Sequence, residues 1–229
     1  MLNIIICGIN GSMGTNIYKT ALSAKHEVTC GIDNVRVGNL DCPVYTDFDQ
    51  IRHLANVIID FSSPSITDKL LDYAKRNQIP LVIGTTGHSK KQEEDIEKAS
   101  KQIAIFKSAN TSLGVLYFAK LCKIASQYLK GFDVQIIEKH HKNKKDSPSG
   151  TANLLKTHLI NDNVEQIQIH SIRGGSVVGE HSVLFLGDGE SFTLTHTAES
   201  KELFAKGAIK ASEFIINKTK GLYSTKDLI

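Results

Sequence analysis

The chain has 229 residues, of which 41% are hydrophobic and 22% charged, with a formal net charge of +3. That length holds one large domain or two small ones, and the composition excludes long disorder. No apolar run reaches the ~18–20 residues of a membrane helix, and the charge is too small to imply nucleic acid, though a positive patch for an anionic metabolite remains open.

Leu2–Cys7 is a short apolar run that reads as a strand buried on both faces. It enters a glycine turn, Gly8–Gly14, without the basic start or cleavage site of a secretion signal. Met13, Ile17, Ala21 and Leu22 then recur at helical spacing. Strands are expected at Glu27–Asp33, Asn56–Phe61, Pro80–Ile83 and Ile103–Phe106, with helices at Ser65–Asn77 and Lys90–Lys101. This alternation predicts a Rossmann-like parallel sheet with helices on both faces. After residue 111 the texture changes. Leu113, Leu116, Tyr117, Leu121, Ile124 and Tyr128 mark a long amphipathic helix with Ser112 as its N-cap. A strand at Phe132–Glu138 and a helix within Ser147–Ile160 follow, then strands at Val164–Ile172, His181–Leu186 and Phe192–His196. Gly187-Asp188-Gly189 is a hairpin signal between the last two strands. The clustered strands predict a smaller α+β domain over 112–196 with a mainly antiparallel sheet, and residues 201–217 add a last amphipathic helix. Four cysteines, Cys7, Cys30, Cys42 and Cys122, form no C-x-x-C pair. A reducing, cytoplasmic setting without a disulfide framework or a cysteine zinc site is therefore expected.

Gly8-Ile9-Asn10-Gly11-Ser12-Met13-Gly14 joins a strand to a helix. Glycines permit a tight turn and close approach of a ligand, and the unpaired amides at a helix start can hold a pyrophosphate. The spacing is G-x-x-G-x-x-G, with Asn10 in place of the usual second glycine, so a plain strand–helix turn is the alternative. Asp33 closes the second strand about 20 residues on, where an acid can accept from a ribose 2′-hydroxyl. It could equally be a solvated strand-end carboxylate. Together these features favour a dinucleotide site. Asp33 suits NADH, and Arg36 is close enough in sequence to serve the 2′-phosphate of NADPH.

The stretch Glu138-Lys139-His140-His141-Lys142-Asn143-Lys144-Lys145-Asp146-Ser147-Pro148-Ser149-Gly150-Thr151-Ala152 reads as a strand end, a basic loop and a helix start. Ser147 fits the N-cap and Pro148 the first helical position. The amides of Ser149, Gly150 and Thr151 then lie in the first turn, a cradle for a carboxylate or phosphate beside Lys142, Lys144 and Lys145. A solvated basic loop or a nucleic-acid patch is the bland alternative, and no aromatic residue interleaves the run. His140 and His141 have no third metal ligand at familiar spacing, and Ser149 lacks the G-x-S-x-G of a serine hydrolase.

These residues resemble the 4-hydroxy-tetrahydrodipicolinate reductase (dihydrodipicolinate reductase) family of lysine and diaminopimelate synthesis. The resemblance runs through G-x-x-G-x-M-G at 8–14, D-F-S at 60–62, G-T-T-G at 84–87 and S-A-N at 108–110. It continues through E-x-H-H-x-x-K-x-D-x-P-S-G-T-A at 138–152 and R-G-G-x-x-x-G-x-H at 173–181. It implies that Gly8, Gly11, Ser12, Met13 and Gly14 hold the pyrophosphate of NADH or NADPH, with Asp33 on the adenine ribose. Phe61, Gly84, Thr85, Thr86, Ser108, Ala109, Asn110 and Thr111 would line the nicotinamide side. Thr111 stands where family members often carry Phe. The resemblance makes His140 the proton donor, assisted by Lys144, with Lys144, His141, Ser149, Gly150 and Thr151 gripping the carboxylates of a small cyclic dicarboxylate. No metal is implied. Arg173, Gly174, Gly175 and His181 are expected to be structural. Residues 197–229 should return to the nucleotide domain, and the middle domain should build a homotetramer without nucleic-acid or membrane partners. The rival readings are another small two-domain dehydrogenase and an inactive NAD(H)-sensing paralogue.

Overall fold

The structure, a computed structural model, describes residues 1–35, 40–160 and 166–228. In chain order the elements are β1 (Asn3–Cys7), α1 (Ser12–Ser23), β2 (Glu27–Ile32), β3 (Val44–Tyr45), β4 (Val57–Asp60), α2 (Thr67–Asn77), β5 (Leu81–Ile83), α3 (Lys90–Ser100) and β6 (Ala104–Lys107). They continue with α4 (Leu113–Tyr128), β7 (Asp133–His140), α5 (Gly150–Leu159), β8 (Ile167–Arg173), β9 (Gly179–Gly187), β10 (Glu190–Ala198), α6 (Glu202–Ile215) and β11 (Gly221–Tyr223). The strand expected from Val164 begins at Ile167. Val164 itself and Arg36 lie outside the described residues. Two compact units result, Met1–Thr111 with Glu202–Ile229, and Ser112–Lys201.

The first unit is a seven-stranded sheet in the order β11-β6-β5-β4-β1-β2-β3, parallel throughout. This is the Rossmann-like sheet expected from the sequence. The short strands β3 and β11 at its two edges carry too few apolar residues to announce themselves. Successive side chains of a strand face opposite sides. Ile4 and Ile6 therefore enter the core under α1 and α6, while Ile5 and Cys7 enter the core under α2 and α3. Ile17 and Ala21 anchor α1 as predicted, whereas Leu22 is exposed. The order reverses at β1, which lies between β2 and β4; ligands of open parallel sheets bind outside the carboxyl ends at such a switch.

The second unit has a four-stranded sheet ordered β10-β9-β7-β8. β10, β9 and β7 pair antiparallel, and β8 joins β7 in parallel. Val134, Ile136, Val183 and Phe185 pack with Phe118 of α4 and Leu155 of α5. The stripe that predicted α4 proves not to be its core face. Tyr117, Leu121, Ile124 and Tyr128 are exposed, and Val115, Phe118, Ala119, Cys122 and Ser126 are buried instead. The small residues let the helix lie close to the sheet, which a count of large apolar residues overlooks. Ser112 does cap α4, its hydroxyl accepting from the Val115 amide at 3.2 Å.

Candidate active site

In the first unit, the residues expected to hold a dinucleotide follow the carboxyl ends of β1, β2, β4, β5 and β6. Gly8 has φ +77°, and a Cβ there would strike the Phe61 carbonyl. A Cβ on Gly14 would strike the Gly8 carbonyl and the Ile9 backbone, so the turn and the helix start touch directly. Gly11 is the N-cap of α1, and no side chain caps the helix. The amides of Met13 and Gly14 thus present the helix N-terminus to an anion. Asp33 accepts from the Asn10 amide through Oδ2 at 2.9 Å and from the Asn34 amide through Oδ1 at 2.8 Å. It therefore pins the tip of the turn while its remaining lone pairs stay available to a hydroxyl. Asn10 replaces a glycine because its Nδ2 donates to the Val35 carbonyl at 2.7 Å.

A cavity of about 440 Å³ opens here, lined by Gly8, Asn10, Gly11, Asp33, Phe61 and Ser62. The Phe61 ring lies against Gly84 so closely that any Cβ on Gly84 would overlap it. Thr85 is buried and its Oγ1 accepts from the Ser62 amide at 2.8 Å, while Thr86 is exposed. The Ser108 amide donates to the Ile83 carbonyl, which sets Ser108, Ala109 and Asn110 beside the β5 end. Thr111 is buried, and its hydroxyl donates to the Phe204 carbonyl of α6 at 2.7 Å. That hydroxyl is engaged in holding the returning helix. The glycine cradle, the uncapped helix and the carboxylate fit a dinucleotide.

In the second unit the alternation along β7 that buries Val134 and Ile136 carries Glu138 and His140 onto the same face. β7 pairs Glu138 with His181 of β9 and His140 with Arg173 of β8. Glu138 is fully buried. It accepts from Arg173 at 2.7 and 2.9 Å, from His140 Nδ1 at 2.5 Å and from the Ser149 amide at 3.2 Å. Burial opposes its ionisation, but the Arg173 guanidinium, Ser171 and His140 outweigh burial and hold its pKa at about 2. The His140 pKa lies below its ordinary value because burial, Lys144 and Arg173 together exceed the pull of Glu138. His181 is pushed down to about 4, first by burial and then by His140. Its Nε2 meets the Ser149 hydroxyl at 2.9 Å.

The helix start differs from the expectation. Ser149, not Ser147, is the N-cap of α5, and Pro148 lies outside the helix. Both serines satisfy the residue preference. Ser149 takes the position because its hydroxyl accepts from the Ala152 amide at 3.1 Å and its own amide is held by Glu138. Ser149 is thus internally bonded. The Gly150 amide is directed to the Asp146 carboxylate, which Lys144 also meets at 2.8 Å. Burial would raise the Asp146 pKa, yet Lys144 and these amides lower it. The chain's own carboxylate thus sits where Lys144 and the α5 start converge. His141 and Lys144 are half-buried in the loop before it. The Arg173-Gly174-Gly175 turn is tied to this loop, the Gly174 amide donating to the His140 carbonyl at 3.0 Å and the Lys142 amide to the Gly175 carbonyl at 3.3 Å. The sequence offers Glu138 as a neighbour that raises the proton affinity of His140, whereas its link to Arg173 and Ser149 emerges only in the structure. The spacing E-x-H on a strand, which sets both side chains on one face, was the available signal.

Two family profiles match the chain. "Dihydrodipicolinate reductase, N-terminus" covers residues 2–111 and "Dihydrodipicolinate reductase, C-terminus" covers residues 114–229. The 4-hydroxy-tetrahydrodipicolinate reductase of Caldanaerobacter subterraneus subsp. tengcongensis is 41% identical, over 100% of this chain and 98% of that one. The protein of the same name from Clostridium tetani is 42% identical, over 98% and 95% respectively. A dipicolinate-bound dihydrodipicolinate reductase from Paenisporosarcina sp. TG-14 shares the fold, with a TM-score of 0.80 at 24% identity over 98% of this chain and 97% of that one. The chain belongs to the dihydrodipicolinate reductase family.

Proposed function

We propose that the protein reduces 4-hydroxy-tetrahydrodipicolinate to tetrahydrodipicolinate with loss of water, using NADH or NADPH, in lysine and diaminopimelate biosynthesis. The observation that carries this reading is the convergence of Lys144 and the α5 start on a carboxylate, that of Asp146, in the loop that follows His140. A dicarboxylate substrate would take that place. Lys144, His141, Gly150 and Thr151 bind it, and Ser149 acts by holding the turn in shape.

When bound, the reduced nicotinamide supplies a hydride. Gly8, Gly11, Ser12, Met13 and Gly14 hold the pyrophosphate and Asp33 the ribose. Phe61, Gly84, Thr85, Thr86, Ser108, Ala109 and Asn110 shape the nicotinamide side, with Thr111 supporting them from behind. A carboxylate at Asp33 suits the free 2′-hydroxyl of NADH, and Arg36, outside the described residues, is close enough in sequence to serve a 2′-phosphate.

Loss of water from the hydroxylated ring gives a conjugated imine-type acceptor. After hydride addition the ring carries negative charge, which takes a proton from His140. General acid catalysis of this kind contributes roughly 10²–10⁴ in rate. Lys144, a cation beside the anionic ring, strengthens substrate binding and eases the accumulation of charge. The free enzyme disfavours imidazolium at His140. Two arriving carboxylates favour it, so the acid becomes charged as the substrate binds.

The assembly we propose is a homotetramer built on the sheet face of the second unit that α4 and α5 leave uncovered, where Ile172 and Leu186 are exposed. A cytoplasmic location agrees with the free thiols of Cys7, Cys30, Cys42 and Cys122. Among the described residues no helix is long and apolar enough to cross a membrane.

The test is incubation with freshly made substrate and either NADH or NADPH, following the reduced-nicotinamide absorbance. Substrate-dependent loss of absorbance, inhibited competitively by pyridine-2,6-dicarboxylate, is expected. Dinucleotide binding without turnover would instead mark an inactive sensor. Turnover of a different carbonyl or amino-acid substrate, unaffected by the dicarboxylate, would mark another dehydrogenase.

A further inference from the structure

We propose that Glu138, gripped by Arg173, is the positioning residue that fixes which nitrogen of His140 carries the transferable proton and couples that ring to the start of α5. The proposal rests on the reading of His140 as proton donor and extends it to two residues that do not touch the reacting atoms. Glu138 meets three separate elements. It meets His140 two residues along its own strand, Arg173 at the end of β8, and the Ser149 amide at the α5 cap. Arg173 also donates to the Asp146 carbonyl at 2.7 Å, reaching the far side of the basic loop. A single buried carboxylate therefore holds the acid, the loop and the carboxylate cradle in one register.

The charge on Glu138 decides the proton's place. An ionised carboxylate only accepts hydrogen bonds. With Glu138 ionised under the grip of Arg173, His140 Nδ1 must donate to it. The neutral ring is then the Nδ1–H tautomer, and the proton gained on charging sits on Nε2. That nitrogen points away from Glu138, toward Gly179. A carboxylate behind an imidazole is a general means of fixing tautomer and orientation.

The charged and titratable groups facing His140 come from four directions. Glu138 lies on its own strand and Arg173 on β8. His181 of β9 stands edge-on, with ring centroids 5.1 Å apart. Lys144 comes from the loop, paired with Asp146. His196 acts indirectly, through His181. Among these Glu138 favours imidazolium, while Arg173 and Lys144 oppose it. Removing Glu138 or Arg173 should therefore move the His140 titration in opposite directions.

The experiment is a histidine-selective ¹⁵N NMR titration of the full-length protein, with His140 assigned by the signal lost in His140→Gln. It is run alongside kcat–pH profiles for wild type, Glu138→Gln, Glu138→Asp and Arg173→Gln. In wild type the neutral His140 should carry its proton on Nδ1. Its midpoint should fall in Glu138→Gln, stay nearer wild type in Glu138→Asp, and rise in Arg173→Gln. The alkaline limb of kcat should follow each shift, and kcat of Glu138→Gln at neutral pH should fall by roughly tenfold or more. A neutral His140 protonated on Nε2 would overturn the proposal, as would midpoints that move the same way or not at all in the two charge-removing variants. The wild-type tautomer needs only the His140→Gln assignment and no variant of Glu138 or Arg173, so it decides the matter even if Glu138→Gln does not fold. NMR reads His140 without turnover, so a wild type inactive on the proposed substrate would count against the function and leave the positioning result standing.

Discussion

Gly179 of β9 lies against the outward nitrogen of His140: a Cβ at position 179 would stand 3.1 Å from Nε2. The missing side chain keeps clear the ring edge from which a proton would leave. Gly179→Ala must displace the imidazole by a few tenths of an ångström or cover that edge. A general acid needs hydrogen-bond reach to its target, so kcat should fall by about tenfold while the melting temperature shifts by a few degrees at most. Steady-state kinetics and a thermal melt check this; wild-type turnover in the variant would mean that Nε2 does not deliver the proton.

The proton affinity of His140 should depend on whether substrate is present. Free, the ring is held below its ordinary pKa, mainly by burial. Bound to a dianion, it gains two carboxylates that favour the charged form. An acid works below its pKa, kcat/KM reports the free enzyme and kcat the complex. The alkaline limb of kcat should therefore lie at higher pH than that of kcat/KM. Coincident limbs would show that the substrate's charge does not reach His140.

The two ends of the glycine turn should fail differently. Gly14→Ala drives a methyl into the Gly8 carbonyl and the Ile9 backbone, so it should destabilise the protein by about 1–3 kcal/mol, the usual cost of overpacking. At Gly11 a Cβ meets only the Gly8 carbonyl oxygen, at 3.1 Å. Gly11→Ala should keep nearly its full melting temperature and instead weaken NADH binding, because the added methyl stands where a pyrophosphate would approach. Thermal melts with a fluorescence titration of the reduced dinucleotide separate the two effects.

His181 should make stability pH-dependent. Its folded pKa is about 4 against an ordinary value of 6.5, chiefly through burial. Between those values the unfolded chain binds the extra proton and the folded one does not, so stability falls as pH drops from 6.5 toward 4. Glu138, with a folded pKa of about 2 against 4.5, adds its own loss as pH falls from 4.5 toward 2. Melting temperatures in His181→Gln should decline less steeply than wild type between pH 6.5 and 4. Parallel declines would assign the acid sensitivity elsewhere.

Local patterns made the first unit legible. Apolar runs such as Leu2–Cys7 and a glycine turn before a periodic segment each specify a parallel strand or its exit. What escaped was decided by tertiary context. Tyr117, Leu121, Ile124 and Tyr128 look like a core stripe, yet the sheet takes the smaller stripe of α4. Ser147 reads as the cap in sequence, but Glu138, from strand β7, claims the Ser149 amide and the cap falls at Ser149. Arg173 shows no sign of its partner in sequence, because the Glu138 pairing spans 35 residues and depends on strand register. His140 and Lys144 were readable as candidates because a histidine and a lysine in a basic loop before a helix start carry their chemistry in their residue types.

The most direct test is the turnover of His140→Gln. Glutamine keeps a hydrogen-bonding side chain of similar length and removes the ionisable proton. With freshly made substrate and saturating reduced dinucleotide, the account predicts a kcat lower by roughly 10²–10⁴, a KM changed only a few-fold, and NADH affinity equal to wild type. A His140→Gln enzyme turning over at the wild-type rate would contradict it.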